Sequence, residues 1–285
     1  KSVGSTDGLK AVNGVANIVV DVNKGTLGVK SGGSPAVQAG GNVRLSTLDQ
    51  DNAGGSIMLA RGANIGAGQN IEIIAAGTVG HSDITQAADL LAMEGSIFVS
   101  TANGSIEMDA QAVSITGAAQ QNIAYRARED IVVGRLVAGA AGVKDTLAAD
   151  SKSVVANGTR GDVVLVAQQG SIEKAGAGSV ITARDLRMEA GTGVGIGEQP
   201  IETAVDRVAA SAGAGGVYIS ELDNLRVDQS NPVAVNRVAS DGSATAQSSG
   251  AALNGVTAVA SAGASDGSIV VDAGDTVLVN QALRA

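Results

Sequence analysis

Residues 104–110, GSIEMDA, carry the pattern that decides the fold of this chain. After the glycine, Ile106 and Met108 point to one side of an extended chain, whereas Ser105 and Glu107 point to the other, because side chains alternate along a strand. This alternation predicts a half-buried β-strand that begins directly after a glycine turn. The tripeptide Gly-Ser-Ile returns ahead of other short apolar runs, at Gly55, Gly95, Gly170 and Gly267.

The repetition of this turn and strand predicts the architecture of the whole chain. A short unit of this kind can bury its apolar side only against its neighbours, so the units must stack. We therefore predict an all-β fold, a right-handed parallel β-helix (β-solenoid) with side-loop insertions, its hand following the usual crossover preference. Residues 1–285 would form a single elongated array, as a whole chain or as a fragment of a longer protein. At roughly 20 to 25 residues per coil, we expect about a dozen coils.

The composition favours a thin solenoid over a wide globular core. Of the 285 residues 44% are apolar, but only one Phe, two Tyr and no Trp are present, so small aliphatic side chains must fill the core. The absence of Cys excludes disulfides and thiolate metal sites. A formal charge of -9 argues against a nucleic-acid partner, and no apolar run is long enough for membrane insertion.

Three segments interrupt the rhythm of strands and predict insertions. They lie near residues 78–94, 138–158 and 228–252. Within the first, residues 85–93 (TQAADLLAM) suggest a short helix whose apolar side chains dock on the coils. In repeat proteins such insertions gather on one side of the stack, which is the usual place for specific contacts.

Residues 193–227, GVGIGEQPIETAVDRVAASAGAGGVYISELDNLRV, resemble a recurring segment of giant bacterial surface proteins with β-strand repeats. The matching positions are Gly195-Ile196-Gly197, Pro200-Ile201-Glu202-Thr203, Val205, Val208-Ala209-Ala210, Gly216 to Glu221 and Leu225. Such proteins are similar to filamentous-haemagglutinin-type exoproteins, which form long right-handed β-helices on or outside Gram-negative cells. The resemblance covers about an eighth of the chain and brings no catalytic residue with it.

The resemblance implies a role in adhesion, cell-cell contact or an extracellular matrix. We expect a secreted, non-enzymatic structural or adhesive protein of a bacterial cell surface, with a cell-surface or matrix partner. One alternative is a subunit that self-associates into an extracellular filament or sheath. Another is a polysaccharide-active β-helix enzyme, for which the scaffold offers outward carboxylates such as Glu107 and Asp272.

Few motifs in the chain indicate chemistry. Asp49, Asp51 and Asn52 precede a glycine turn and predict either a calcium site or, because later ligands of a calcium loop are missing, a solvated turn. His81 is the only histidine, and its neighbours Ser82 and Asp83 are too close in sequence to form a catalytic triad with it. Apart from that calcium, we expect no cofactor and no catalytic residue.

A set of apolar side chains falls on the strand face opposite the predicted core. Side loops would cover them, since parallel strands are often buried on both faces, or they would form an interface between protomers. The candidates for such an interface are Met58, Phe98, Val164, Tyr218, Val270 and Leu278.

Overall fold

The chain folds as a parallel β-solenoid. The structure is a computed structural model that describes residues 8–32, 35–48, 54–139, 160–259 and 267–285. Within these ranges every regular element is a strand, and the strands stack in about nine turns. The predicted all-β solenoid is thereby confirmed. No helix in this part of the chain is long and apolar enough to cross a membrane.

The strands are short and follow one another closely. The first half contains β1 Leu9–Ala11, β2 Ile18–Val22, β3 Leu27–Val29, β4 Val37–Ala39, β5 Val43–Thr47, β6 Ile57–Leu59, β7 Ile65–Ala67, β8 Ile71–Ala75, β9 Ile84–Gln86, β10 Leu90–Ala92, β11 Ile97–Thr101, β12 Ile106–Met108, β13 Val113–Thr116, β14 Ile123–Ala127, β15 Ile131–Val133 and β16 Arg135–Val137. The second half contains β17 Val163–Ala167, β18 Ile172–Lys174, β19 Val180–Ala190, β20 Gly193–Val194, β21 Ile201–Ala212, β22 Gly216–Glu221, β23 Leu225–Val227, β24 Gln229–Ser230, β25 Ala234–Val238, β26 Ala244–Ser248, β27 Leu253–Asn254, β28 Val256–Ala258, β29 Ile269–Ala273, β30 Val277–Val279 and β31 Leu283–Arg284.

Each coil contributes one strand to each of three stacks, named here faces A, B and C. Face A consists of β2, β5, β8, β11, β14 and β17, the second halves of β19 and β21, and then β28 and β31. Face B begins with β3, β6, β9, β12, β15 and β18, and face C with β1, β4, β7, β10, β13 and β16. All of these pairings are parallel, as the turn-and-strand repeat predicts.

Most coils are longer than the sequence suggested, although the two from Val163 to Leu186 and from Leu186 to Val208 have the expected length of 23 and 22 residues. On face A, Ile18, Val43, Ile71, Ile97 and Ile123 are paired in register, which gives 25 to 28 residues per coil. Two later coils are longer still, because one contains residues 140–159 and the other residues 228–252. The expectation of about a dozen coils is therefore too high.

Aliphatic side chains fill the centre of the stack. The inward ladder of face A is Val43, Ile71, Ile97, Ile123, Val163, Leu186 and Val208, each fully buried. Equivalent isoleucines of face B stand over one another at Ile57, Ile84, Ile106, Ile131 and Ile172. Small aliphatic side chains are sufficient to fill the narrow centre of the solenoid, which explains why the chain contains so few aromatic residues.

Polar side chains form ladders at the turns, and these ladders explain the Gly-Ser-Ile signature. Before face B, the Asp83 carboxylate accepts a hydrogen bond from the Ser105 backbone N–H (2.9 Å), and the Ser105 hydroxyl accepts one from the Asp130 backbone N–H (3.2 Å). The carboxylate of Asp83 also lies against Gly104, where any Cβ would clash with it. The glycine therefore makes room for the ladder, the serine continues it, and the isoleucine enters the core.

The helix predicted at residues 85–93 is wrong. This segment contains β9 and β10, and its coil has an ordinary length, so residues 78–94 are not an insertion. Leu90 packs in the core, whereas Leu91 packs on the outside of face C with Ile115 and Val137. A strand buried on both sides lacks alternation, and its apolar spacing resembles that of a helix.

The other two predicted insertions differ in what the structure describes. Most of residues 138–158 lies outside the described residues. Residues 228–252 leave the coil and form two antiparallel pairs, β24 with β27 and β25 with β26. We call the pair β25 and β26 with its turn, residues 234–248, the side hairpin.

Candidate functional site

The side hairpin lies on the outside of face A and crosses several coils. Its contacts follow the polar ladder that precedes face A. The Asn122 side chain donates to the Ala234 carbonyl (2.7 Å), and the backbone N–H of Asn236 donates to the Ser96 hydroxyl (2.6 Å). Further along, the side-chain amide of Asn42 donates to the carbonyl of Gly242 (3.0 Å). The hairpin thus lies across neighbouring coils of face A, although it comes 112 to 200 residues later in the sequence.

Apolar side chains fill the space between the hairpin and face A. Phe98, Ala124 and Val164 stand side by side on β11, β14 and β17, and they pack against Val233 and Val235. All five are buried. Phe98 and Val164 are therefore covered by the chain itself and are not available to a second protomer. For these two residues the side-loop alternative holds.

The carboxylate of Glu72 attaches the side hairpin to face A through ion pairs and a hydrogen bond. It is 1% exposed, and its carboxylate accepts hydrogen bonds from Arg44 (2.6 Å), from Arg237 (2.9 Å) and from the backbone N–H of Val238 (2.6 Å). Arg44 also pairs with Asp21 (3.1 Å) and donates to the Val238 carbonyl (2.8 Å). This network satisfies a buried carboxylate that would otherwise be costly.

A cleft opens where the hairpin leaves face A. Its volume is about 270 Å³. We call it the hairpin cleft. The residues that line it are Phe98, Ser100, Thr101, Ala102, Arg126, Ala127, Gln168, Val235, Arg237, Gln247 and Ser248. The wall of the cleft therefore carries hydroxyl and amide groups together with two guanidinium groups.

The two arginines of the cleft differ in what they contact. The Arg237 guanidinium lies 3.8 Å above the centre of the Phe98 ring and donates to Glu72 (2.9 Å) and Gln247 (2.6 Å). Arg126 makes no hydrogen bond or ion pair within the described part of the chain, and its Nε is buried without a partner. Arg126 is thus the guanidinium with unused donors.

Burial is the main cause that lowers the pKa of Arg126 from its ordinary value. Glu189 opposes this shift by attraction, whereas repulsion from Arg237 and Arg187 adds to it. An arginine stays protonated at any physiological pH, so the consequence is an unfavourable cation and not a neutral side chain. The wall around Arg126 is therefore locally positive although the chain carries a net charge of -9.

The remaining predicted interface residues lie elsewhere on the surface. Met58 is exposed on face B, and Val270 and Leu278 are exposed on β29 and β30. Tyr218 is half-buried, with its ring near Gly216. The structure does not bring these four together with Phe98 and Val164 into one patch, because strands of different faces carry them.

The predicted calcium residues Asp49, Asp51 and Asn52 lie outside the described residues. In the ranges that are described, no group of three or more His, Asp or Glu side chains is placed to hold a metal ion. His81 is exposed and lies 4.0 Å from Glu129. The neighbouring Ser82 is buried, and its hydroxyl accepts a hydrogen bond from the Gly55 backbone N–H (3.1 Å).

A second recess brings carboxylates together. Its lining includes Glu202, Glu221 and Asp272. Burial raises the pKa of Glu221, although hydrogen bonds from Thr203 and from the backbone act against this rise. Both oxygens of Glu221 are already engaged, by the Thr203 hydroxyl (2.7 Å) and by the backbone N–H groups of Val205 (3.1 Å) and Leu222 (3.0 Å). This carboxyl caps backbone groups and is not directed at a substrate.

The outward carboxylates of the chain have different surroundings. Glu107 is exposed on β12, and Asp109 pairs with Arg61 at 2.6 Å. Glu189 pairs with Arg187 at 2.8 Å on the outside of face A. Asp272 lines the second recess, where the oxygens of Glu221 are engaged by backbone N–H groups.

Comparison with protein-family models, with curated proteins and with solved structures gave no match. The sequence did not identify Arg126 and Arg237 as site residues. The signal for Arg126 was its position on β14, where alternation places it outward beside apolar neighbours, but nothing local indicated the hairpin that encloses it.

Proposed function

We propose that this chain is a non-enzymatic structural and adhesive solenoid, secreted and active at a bacterial cell surface. The observation that supports the proposal is the docked side hairpin. It forms a cleft on the flank of a stack whose coils are joined by extensive parallel pairing. Such a stack gives a rigid support on which a binding element is held at a fixed position.

Two further features agree with this role. The resemblance of residues 193–227 to bacterial surface proteins supplies the proposed location. Polar groups in the second recess serve the backbone, so they favour a structural role over catalysis. The partner of such a protein is a cell-surface or matrix molecule, and the proposed function needs no cofactor.

Retention of coated beads tests the adhesive function. Beads that carry the chain should remain on bacterial cells or on matrix material under flow, and beads coated with an unrelated protein of equal net charge should not. Replacing residues 234–248 by a short Gly-Ser link should reduce the retention, since it removes the cleft. Retention no greater than that of the unrelated protein would overturn the proposal.

The apolar surface of the last described coil favours a second candidate function, a subunit that self-associates into an extracellular filament. The strands β29, β30 and β31 each pair with a strand of the preceding coil. Exposed apolar side chains accompany these strands at Val270, Val277, Leu278, Val279 and Leu283. An exposed group of apolar side chains favours contact with a second protomer.

Sedimentation velocity over a range of concentrations tests the filament. The sedimentation coefficient of the chain should rise with concentration, and a double variant with Val277→Lys and Val279→Lys should stay monomeric. Val79→Lys is the matched control, because Val79 is an exposed valine in a turn. A monomer at all concentrations would contradict this function.

A further inference from the structure

The outside of face A carries charges that nearly balance. Four guanidinium groups stand close together on or above it, and three carboxylates compensate them. The cations are Arg44, Arg126, Arg187 and Arg237, and the anions are Asp21, Glu72 and Glu189. Each of the other three arginines has a carboxylate within ion-pair distance, so the excess positive charge resides on Arg126.

The position of Arg126 makes this charge available to a ligand. The side chain is half-buried and lines the hairpin cleft. On face A it is paired in register with Ser100 on one side and with Val166 on the other. Neither neighbour competes for its terminal nitrogens with a negative charge. A guanidinium with free donors in a partly desolvated cleft binds an oxyanion strongly, because the interaction is less screened than in water.

The size of the cleft restricts what can enter. A volume of about 270 Å³ is slightly below the range of roughly 300–1,000 Å³ typical of pockets that enclose a drug-sized ligand. The cleft therefore accommodates one small unit of a longer molecule. Its polar lining, from Ser100, Gln168, Gln247 and Ser248, matches a unit with several hydroxyl groups.

We propose that the hairpin cleft binds a carboxylate-bearing sugar unit of an acidic polysaccharide, with the carboxylate on Arg126 and the sugar hydroxyls on the surrounding hydroxyl and amide side chains. Arg237 contributes positive charge but is held by Glu72 and Gln247, so Arg126 is the residue that determines binding. This inference names the partner class of the proposed adhesive function and rests on that function for its biological setting.

Binding of a soluble oligosaccharide tests the proposal directly. In calorimetric titrations at low salt, a short galacturonate oligosaccharide should bind to the chain, and a neutral galactose oligosaccharide of the same length should not. Added salt should weaken the binding, since part of the attraction is between opposite charges. Equal binding of the acidic and neutral sugars, or no binding of either, would overturn the proposal.

Two arginine variants show where the ligand binds. Arg126→Gln should raise the dissociation constant at least about tenfold, because it removes a charge-assisted contact. Arg128→Gln is the matched control, since Arg128 lies two residues further on and is exposed, and it should leave binding unchanged. The melting temperature of both variants verifies folding. Arg126→Gln removes an unpaired half-buried cation, so we expect it to melt no lower than the wild type.

The remaining outcomes of these experiments decide between the cleft and another site, and between a saccharide and another carboxylate ligand. If Arg126→Gln folds and binds galacturonate as the wild type does, the cleft is not the site. If a short peptide with a free C-terminal carboxylate binds more tightly than galacturonate, the saccharide assignment is wrong. Bead retention is independent of this titration. A chain that binds galacturonate but does not hold beads to cells would refute the adhesive function and leave the binding site intact.

Discussion

Glu72 is the residue on which the attachment of the side hairpin depends most. It is almost completely buried and receives two guanidinium groups and one backbone N–H. Alternation places it on the outside of β8, where a glutamate is expected to be solvated. Glu72 is buried because the side hairpin packs over it and brings in Arg237, which lies 165 residues further along the chain.

We expect Glu72→Ala to lower the free energy of unfolding by about 1 to 3 kcal/mol, because it leaves the half-buried Arg44 and Arg237 without their shared partner and the Val238 N–H without its acceptor. Urea denaturation measures this change. The control is Glu107→Ala, which removes an exposed glutamate of β12 and should change the free energy by less than about 0.5 kcal/mol. Equal effects of the two substitutions would show that the network does not hold the hairpin.

Glu221 makes the stability of the protein depend on pH. Burial raises the pKa of its carboxyl above the ordinary value. Between the unfolded and the folded pKa, the folded state keeps a proton that the unfolded state has released, so the free energy of unfolding falls as the pH rises through this interval. The difference in the free energy of unfolding between the wild type and Glu221→Ala should therefore shrink as the pH rises above the ordinary glutamate pKa of about 4.3.

Denaturation of both proteins at several pH values measures this difference. A difference that stays constant or grows with rising pH would contradict the raised pKa. At low pH the wild type should be the more stable protein, because Glu221→Ala leaves the Thr203 hydroxyl and two backbone N–H groups without their acceptor.

At the scale of the element, the side hairpin is the feature that sequence reasoning located but did not explain. Residues 228–252 depart from the strand rhythm and can be recognised as an insertion. The sequence does not show which surface these residues cover, because the contact between Asn42 and Gly242 joins residues 200 positions apart. Phe98 and Val164 are recognisable as outward apolar residues, yet a side loop and a second protomer would explain them equally well until the hairpin is seen.

Val235→Asp tests the docking of the hairpin. A carboxylate at this position would be buried among Phe98, Ala124 and Val164, so the hairpin should detach at a cost of about 3 kcal/mol. Limited proteolysis should then cut within residues 234–248 while the coils remain intact. Ala246→Asp is the control, because Ala246 is exposed on β26 opposite Asn236. Equal resistance of both variants to protease would contradict the docking.

At the scale of the whole molecule, the residues at the turns were the most informative for predicting the fold from the sequence. The Gly-Ser-Ile units at Gly55, Gly95, Gly104 and Gly170 specify a close contact at the glycine, a ladder hydrogen bond at the serine and a core position at the isoleucine. These are local requirements, so the sequence predicted the solenoid. The number of coils and the path of β10 were mispredicted, because coil length depends on turns without a fixed signature and a strand buried on both faces loses its alternation.

In-register stacking of the coils is the central claim, and cysteine pairs measure it in a chain that has no cysteine of its own. Met58, Thr85 and Glu107 are exposed and stand on three successive coils of face B, paired in register. Neighbouring strands lie about 4.8 Å apart, which is within disulfide reach, whereas two coils span nearly twice that distance. Oxidation should link Met58→Cys with Thr85→Cys inside one molecule and should not link Met58→Cys with Glu107→Cys. Equal linkage of both pairs, or linkage of the second pair alone, would contradict the stacked solenoid.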